Sequence, residues 1–230
     1  MILSFPKQAF DIFREHFPLT VKDAGAYNSF RCGPMKVSID WCYAQGLGNV
    51  CALRASAPLG LMKMNTLVIH PMEKDAPLFS FDYISAMGNH TLLLELYDTM
   101  QGENEQLTDS LSKLFAIKSS LSELADYNLG QHWYDDIKMT PSLAKRTKKA
   151  HISQLEQSAT DFLRIYVALC ATAQPAVEGN TKVSDYVNGL FENGGPSTDT
   201  FKKALGEEKA RQLFEQIIFN TITSYQKSTR

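Results

Sequence analysis

The chain has 230 residues, of which 44% are hydrophobic, 21% charged and 10% aromatic, a composition that excludes collagen-like, low-complexity and wholly disordered chains. Twenty-three Lys and Arg against 25 Asp and Glu leave a formal charge of −2, so the molecule as a whole is no polycation for nucleic acid and any charged docking site must be local. No apolar run approaches the roughly 20 residues that cross a bilayer, and no membrane contact is expected.

In chain order, Phe5, Ala9, Ile12, Phe13 and Phe17 recur at helical spacing from Ser4 until Pro18 stops the pattern. The period then changes to two. Val37, Ile39, Trp41 and Tyr43 alternate with Ser38, Asp40, Cys42 and Ala44, and further strands are predicted at Asn49–Ser56, Met62–His70, Leu78–Met87 and His90–Asp98. Gly88-Asn89 suits the centre of a two-residue hairpin turn, which makes the last two strands antiparallel neighbours. After Asp98 the chain reads as helices: Glu103–Leu124, Ser153–Ala173, Val183–Phe191 and Thr200–Tyr225, with Tyr127–Ser142 an aperiodic loop. Strands followed by helices is α+β order. Both faces of the sheet need covering, so the expected architecture is one domain over 1–230, a three-layer α/β/α sandwich around a mainly antiparallel sheet.

Cys32, Cys42, Cys51 and Cys170 show no Cys-x-x-Cys pair and no ligand-like spacing with the five histidines, so no metal is expected. The opening Met1-Ile-Leu-Ser-Phe-Pro-Lys lacks a secretory pattern, and free thiols in a reducing cytoplasm are the expectation.

A turn centred on Gly88-Asn89 places Asp82 directly opposite Glu95. Two close carboxylates tend to hold one proton between them, which raises one apparent pKa and makes a proton donor; a turn one residue longer, or a solvated face, would remove the pairing. Asp82 shares its face with Leu78, Ser80 and Ile84. On the preceding strand either Asn65 or Thr66 could hydrogen-bond a ligand, or merely satisfy a backbone group. Arg54 is either an anchor for a ligand carboxylate or a surface arginine. Nine acidic residues lie between Glu95 and Asp136 against Lys113 and Lys118, whereas Lys145, Arg146, Lys148 and Lys149 form a basic cluster before a helix start, where the dipole disfavours cations. That cluster reads as a docking face for an acidic protein, as a binding site for ligand carboxylates, or as a solvated loop. No nucleotide, flavin or nicotinamide motif is legible, so electrons for any redox chemistry come from outside.

Leu67-Val-Ile-His-Pro, Ala76-Pro-Leu-Phe-Ser-Phe-Asp82 and Leu92-Leu-Leu-Glu-Leu96, with Asp161-Phe-Leu-Arg-Ile-Tyr-Val-Ala-Leu-Cys170 and the helix from Leu205 to Phe219, resemble the ferredoxin-dependent bilin reductases and the related red chlorophyll catabolite reductases. The resemblance implies a sandwich that holds an open-chain tetrapyrrole between the sheet and the C-terminal helices, and reduction by single electrons from ferredoxin, an external donor with no bound cofactor. It implies Asp82 as proton donor, Glu95 as its neighbour, and Asn65 or Thr66 at the position on the strand before. Where many such enzymes carry a second acid this chain has Gly195, followed by Pro196; Asp199 is near enough in sequence to substitute or to cap a helix. The alternative implied by the missing acid is a non-catalytic tetrapyrrole carrier.

Overall fold

The computed structural model describes residues 5–102 and 105–222; Met1–Ser4, Glu103 and Tyr225, which carry the opening segment and three expected helix ends, lie outside them. Strands β1 (Leu19–Lys22), β2 (Ser29–Cys32), β3 (Met35–Ala44), β4 (Gly48–Ser56), β5 (Met62–His70), β6 (Leu78–Ala86), β7 (Asn89–Tyr97), β8 (Ala125–Asp126) and β9 (Leu143–Thr147) form one sheet. Its order is β1-β3-β4-β5-β6-β7-β9-β8, with β2 also on β3, and every pairing is antiparallel.

Two-residue alternation makes β3 readable, and β4 to β7 read as runs bounded by turn residues, β4 and β7 being nearly continuous apolar runs because helices cover both faces of the sheet. The strands do not cease at Asp98, however: β9 pairs with β7 and carries β8. Its sequence, Leu-Ala-Lys-Arg-Thr, turns Leu143 and Lys145 to the same side, so no apolar alternation announces it.

One face of the sheet packs against α1 (Phe5–Arg14), α2 (Glu105–Ser120) and α3 (Ile152–Thr172). Phe13, Leu114, Phe162 and Tyr166 meet Leu67, Phe79, Phe81 and Leu94 in this layer. Tyr166 stacks on Phe79 with centroids 4.9 Å apart, and its hydroxyl donates to the Pro77 carbonyl at 2.8 Å. Burying each such side chain contributes roughly 1.5–3 kcal/mol. The other face, with Val37, Leu53, Val68 and Leu78, packs against α4 (Lys182–Glu192), α5 (Pro196–Leu205) and α6 (Glu207–Leu213).

The single helix expected from Thr200 to Tyr225 is broken. Gly206, at φ 82°, ends α5 and starts α6, which runs into a π turn over Phe214–Ile218. Such an end leaves buried carbonyls without helical partners. Asn49 Nδ2 donates to those of Ile217 (3.0 Å) and Ile218 (2.8 Å), and His70 Nδ1 donates to that of Phe219 (2.7 Å). Asn49 and His70 face each other across β4 and β5, so one rung of the sheet clamps the C-terminal layer.

Candidate active site

The β6–β7 turn is centred on Met87-Gly88, at φ 51° and 74°, and Asn89 already begins β7. This corrects the expected register. Moving a two-residue turn by one position changes every pairing by two, so Asp82 lies opposite Leu93 and Glu95 opposite Ser80. Sides are unaffected. Asp82, Ser80 and Glu95 still project toward α4–α6, and the two carboxylates are diagonal neighbours.

Thr66 faces Asp82 across β5 and β6, and its hydroxyl donates to Asp82 Oδ1. Asn65, next along β5, projects to the other side, where it is buried opposite Arg54 and Tyr83. Arg54 shares that side and pairs with Asp40 at 2.8 Å. Alternation therefore divides the residues singled out from the sequence: Thr66, Ser80, Asp82 and Glu95 share one face, while Asn65 and Arg54 lie on the other.

Asp82 is surrounded by protein yet keeps some accessible surface, as do Met64, Thr66, Ser80 and Ile84, whereas Leu67, Phe79 and Phe81 on the opposite face are sealed. The accessible strip crosses β5 and β6 beneath the C-terminal layer. Farther along β5, past buried Val68, His70 lines a cavity of about 900 Å³ with Trp41, Thr99, Val183 and Gln216. Burial pushes the Asp82 carboxyl up from 3.8 to about 7; the Thr66 hydrogen bond opposes this and the Glu95 charge adds to it.

Glu95 is buried, its Oε1 2.9 Å from Lys138 Nζ and its Oε2 accepting from the Tyr97 hydroxyl at 3.0 Å. Lys138 also lies 3.1 Å from Asp135. Burial pulls its ammonium down, but the charges and hydrogen bonds of Glu95 and Asp135 outweigh that and raise it. Tyr97, Tyr134 and Tyr186 cluster above, with centroids 4.9, 5.7 and 5.8 Å apart. Burial, more than their neighbours, raises all three phenols, which remain neutral donors. His132 stacks on Tyr134, and its buried Nδ1 has no hydrogen-bond partner among the described residues. Trp133 lies against Gly189 of α4, where any side chain would overlap its ring, and its Nε1 donates to the Gly194 carbonyl at 3.0 Å.

The basic cluster is not one surface. Lys145 and Arg146 belong to β9 and point to opposite sides: Lys145 is buried, 2.8 Å from Asp126 and donating to the Leu124 carbonyl. It cannot serve a docking partner. Arg146 is exposed on the Asp82 side, its Nε donating to Thr91 Oγ1 at 3.1 Å and its guanidinium 3.9 Å above the Tyr127 ring. Thr91 lies opposite Ile84, which puts Arg146 at the edge of the strip. Lys148 and Lys149 are exposed. Asp199 is exposed in the first turn of α5, its carboxylate beside Gly194, and the charge that reaches Asp82 is that of Glu95.

Lys138, Tyr134 and His132 could not be found from the sequence, because they lie in an aperiodic segment that only the tertiary fold brings over Glu95. Thr91 and Arg146 carried a usable signal in their alternation, hidden by the unrecognised strand.

No protein-family model and no curated protein matches the sequence. Among solved structures, tomato phytochromobilin synthase, crystallised in complex with biliverdin, is similar over 97% of this chain and 84% of its own, with a TM-score of 0.76 and 13% sequence identity. The two chains share a fold. Because the likeness to phytochromobilin synthase covers nearly the whole chain, the sheet and both helical layers belong to the common architecture.

Proposed function

We propose that this protein reduces a linear tetrapyrrole of the biliverdin type, with single electrons from a reduced ferredoxin and Asp82 as proton donor. The observation that carries the reading is Asp82 itself, raised to about 7 beside an accessible strip, in a fold that phytochromobilin synthase shares and in which that protein was crystallised with biliverdin. At neutral pH such a group carries its proton in about half of the molecules, the condition for an efficient acid.

An electron added to the conjugated pigment makes a radical anion more basic than its parent. The Asp82 hydroxyl gives its proton to that anion, and Thr66 hydrogen-bonds the carboxylate left behind. Asp82 then regains a proton from solvent along the strip. A second electron and proton saturate one double bond, two of each in all. Glu95, fixed by Lys138 and Tyr97, keeps a negative charge near Asp82 and so retains its proton until the pigment becomes the better base. Arg146, at the edge of the strip, is placed to bind a propionate carboxylate through two hydrogen bonds.

The test is anaerobic mixing of the protein with biliverdin and a reduced ferredoxin system, followed by absorbance. The expected outcome is loss of biliverdin and growth of a reduced bilin. A spectral shift without depletion would instead identify a binding or carrier protein, and no change at all would remove biliverdin as ligand.

A further inference from the structure

We propose that one end of the sheet attaches this protein to the surface of an anionic lipid bilayer. The β4–β5 and β6–β7 connections lie side by side at that end, since Met62 pairs with Ala86. Each tip holds out a large apolar side chain: Leu59 is 97% exposed, Leu61 65% and Met87 90%. Leu59 and Met87 adopt left-handed backbone, at φ 56° and 51°, a conformation that costs a branched or long side chain energy and that Gly or Asn ordinarily takes. Two neighbouring turns thus each keep an apolar residue in water on a disfavoured backbone.

Ammonium groups outnumber carboxylates around the tips, where exposed Glu123, two residues before the Ala125 that pairs with Arg146, and Glu156 of α3 are the nearby acids. Segments 31–37, 54–63, 84–91 and 145–151, which meet at this end, contain no Asp or Glu. Exposed Lys36 and Lys63 flank the β4–β5 tip, and the pairing of His90 with Thr147 brings exposed Lys148 and Lys149 beside Met87. Arg54 and Lys145 are neutralised by Asp40 and Asp126, and the charge of Glu156 on α3 reaches His90 and Tyr83. Apolar tips amid ammonium groups match a layer of anionic headgroups over hydrocarbon. They protrude as separate points, not as the broad packed patch that a protein partner requires. None of the described helices is long and apolar enough to cross a membrane, so the attachment is superficial.

Flotation of the full chain with vesicles tests this without reference to turnover, so its failure is separable from failure of the reductase reading. Vesicles of phosphatidylcholine with one third phosphatidylserine should carry the protein; phosphatidylcholine alone, or high salt, should not. The double variant Leu59→Asn, Met87→Asn suits the left-handed backbone and should keep or raise the melting temperature while lowering the partition coefficient about tenfold or more. Lys63→Glu and Lys148→Glu should each lower it about fivefold or more. Absence of flotation on the anionic vesicles, or equal flotation of the Asn variant, would overturn the proposal. So would chemical-shift changes at these tips on adding a small acidic protein, in a chain that ignores vesicles.

Discussion

Thr66 and Glu95 act on Asp82 in opposite senses, and each can be removed separately. Thr66→Val deletes a donor that favours the carboxylate, so the Asp82 value should rise further above about 7. The alkaline limb of the pH–rate profile, where activity falls as Asp82 loses its proton, should move upward by roughly half to one unit, the equivalent of one ordinary hydrogen bond. Asp82→Asn should abolish that limb, leave biliverdin affinity within a few-fold and slow turnover by about 10²–10⁴; unchanged turnover would exclude Asp82 from the chemistry. Lys138→Met leaves Glu95 buried without its cation and should cost about 2–3 kcal/mol of stability in urea denaturation.

The rung formed by Asn49 and His70 holds the π turn by bonds to three consecutive carbonyls. Asn49→Ala withdraws two of them and strands the Trp41 indole N–H that Asn49 accepts at 2.6 Å. The expected loss is about 2–4 kcal/mol, read from the denaturation midpoint with an unchanged slope. On the opposite flank, Gly189→Ala must push the Trp133 ring from α4 and so loosen the segment that brings Lys138 to Glu95. The elements themselves were legible where physics left a period to read. β3 showed it, whereas β4 and β7, with a helical layer on either side, read as short apolar runs bounded by turn residues. β1, β2 and β8 are too short to show any, and β9 spends its second inward position on Lys145. The break at Gly206 was concealed by apolar spacing that continues through Ile217, since α6 and the π turn bury much the same stripe as an unbroken helix would.

Two buried groups give the molecule opposing pH dependences. His70 is driven down from 6.5 to about 4 by burial, against its bond to Phe219, so the unfolded chain binds more protons between those values and stability rises with pH there. Asp82 is raised from 3.8 to about 7; here the folded chain binds more protons, and stability falls as pH rises through that window. Between about 4 and 6.5 the two slopes oppose each other. Asp82→Asn should therefore unmask a stability that climbs with pH, and His70→Gln one that declines, in urea titrations at several pH values. The α+β architecture followed from element order alone. The site followed only in part, because a single dipeptide set the hairpin register and nothing in the chain reports which of two adjacent residues, Asn65 or Thr66, faces the acid. The same hairpin carries an evolutionary corollary. Descendants whose bend drifts by one residue keep Asp82 and its acidic companion looking the same way, so such changes are tolerable. Lengthening the bend by a single residue would roll Glu95 to the far side and silence the pair at a stroke.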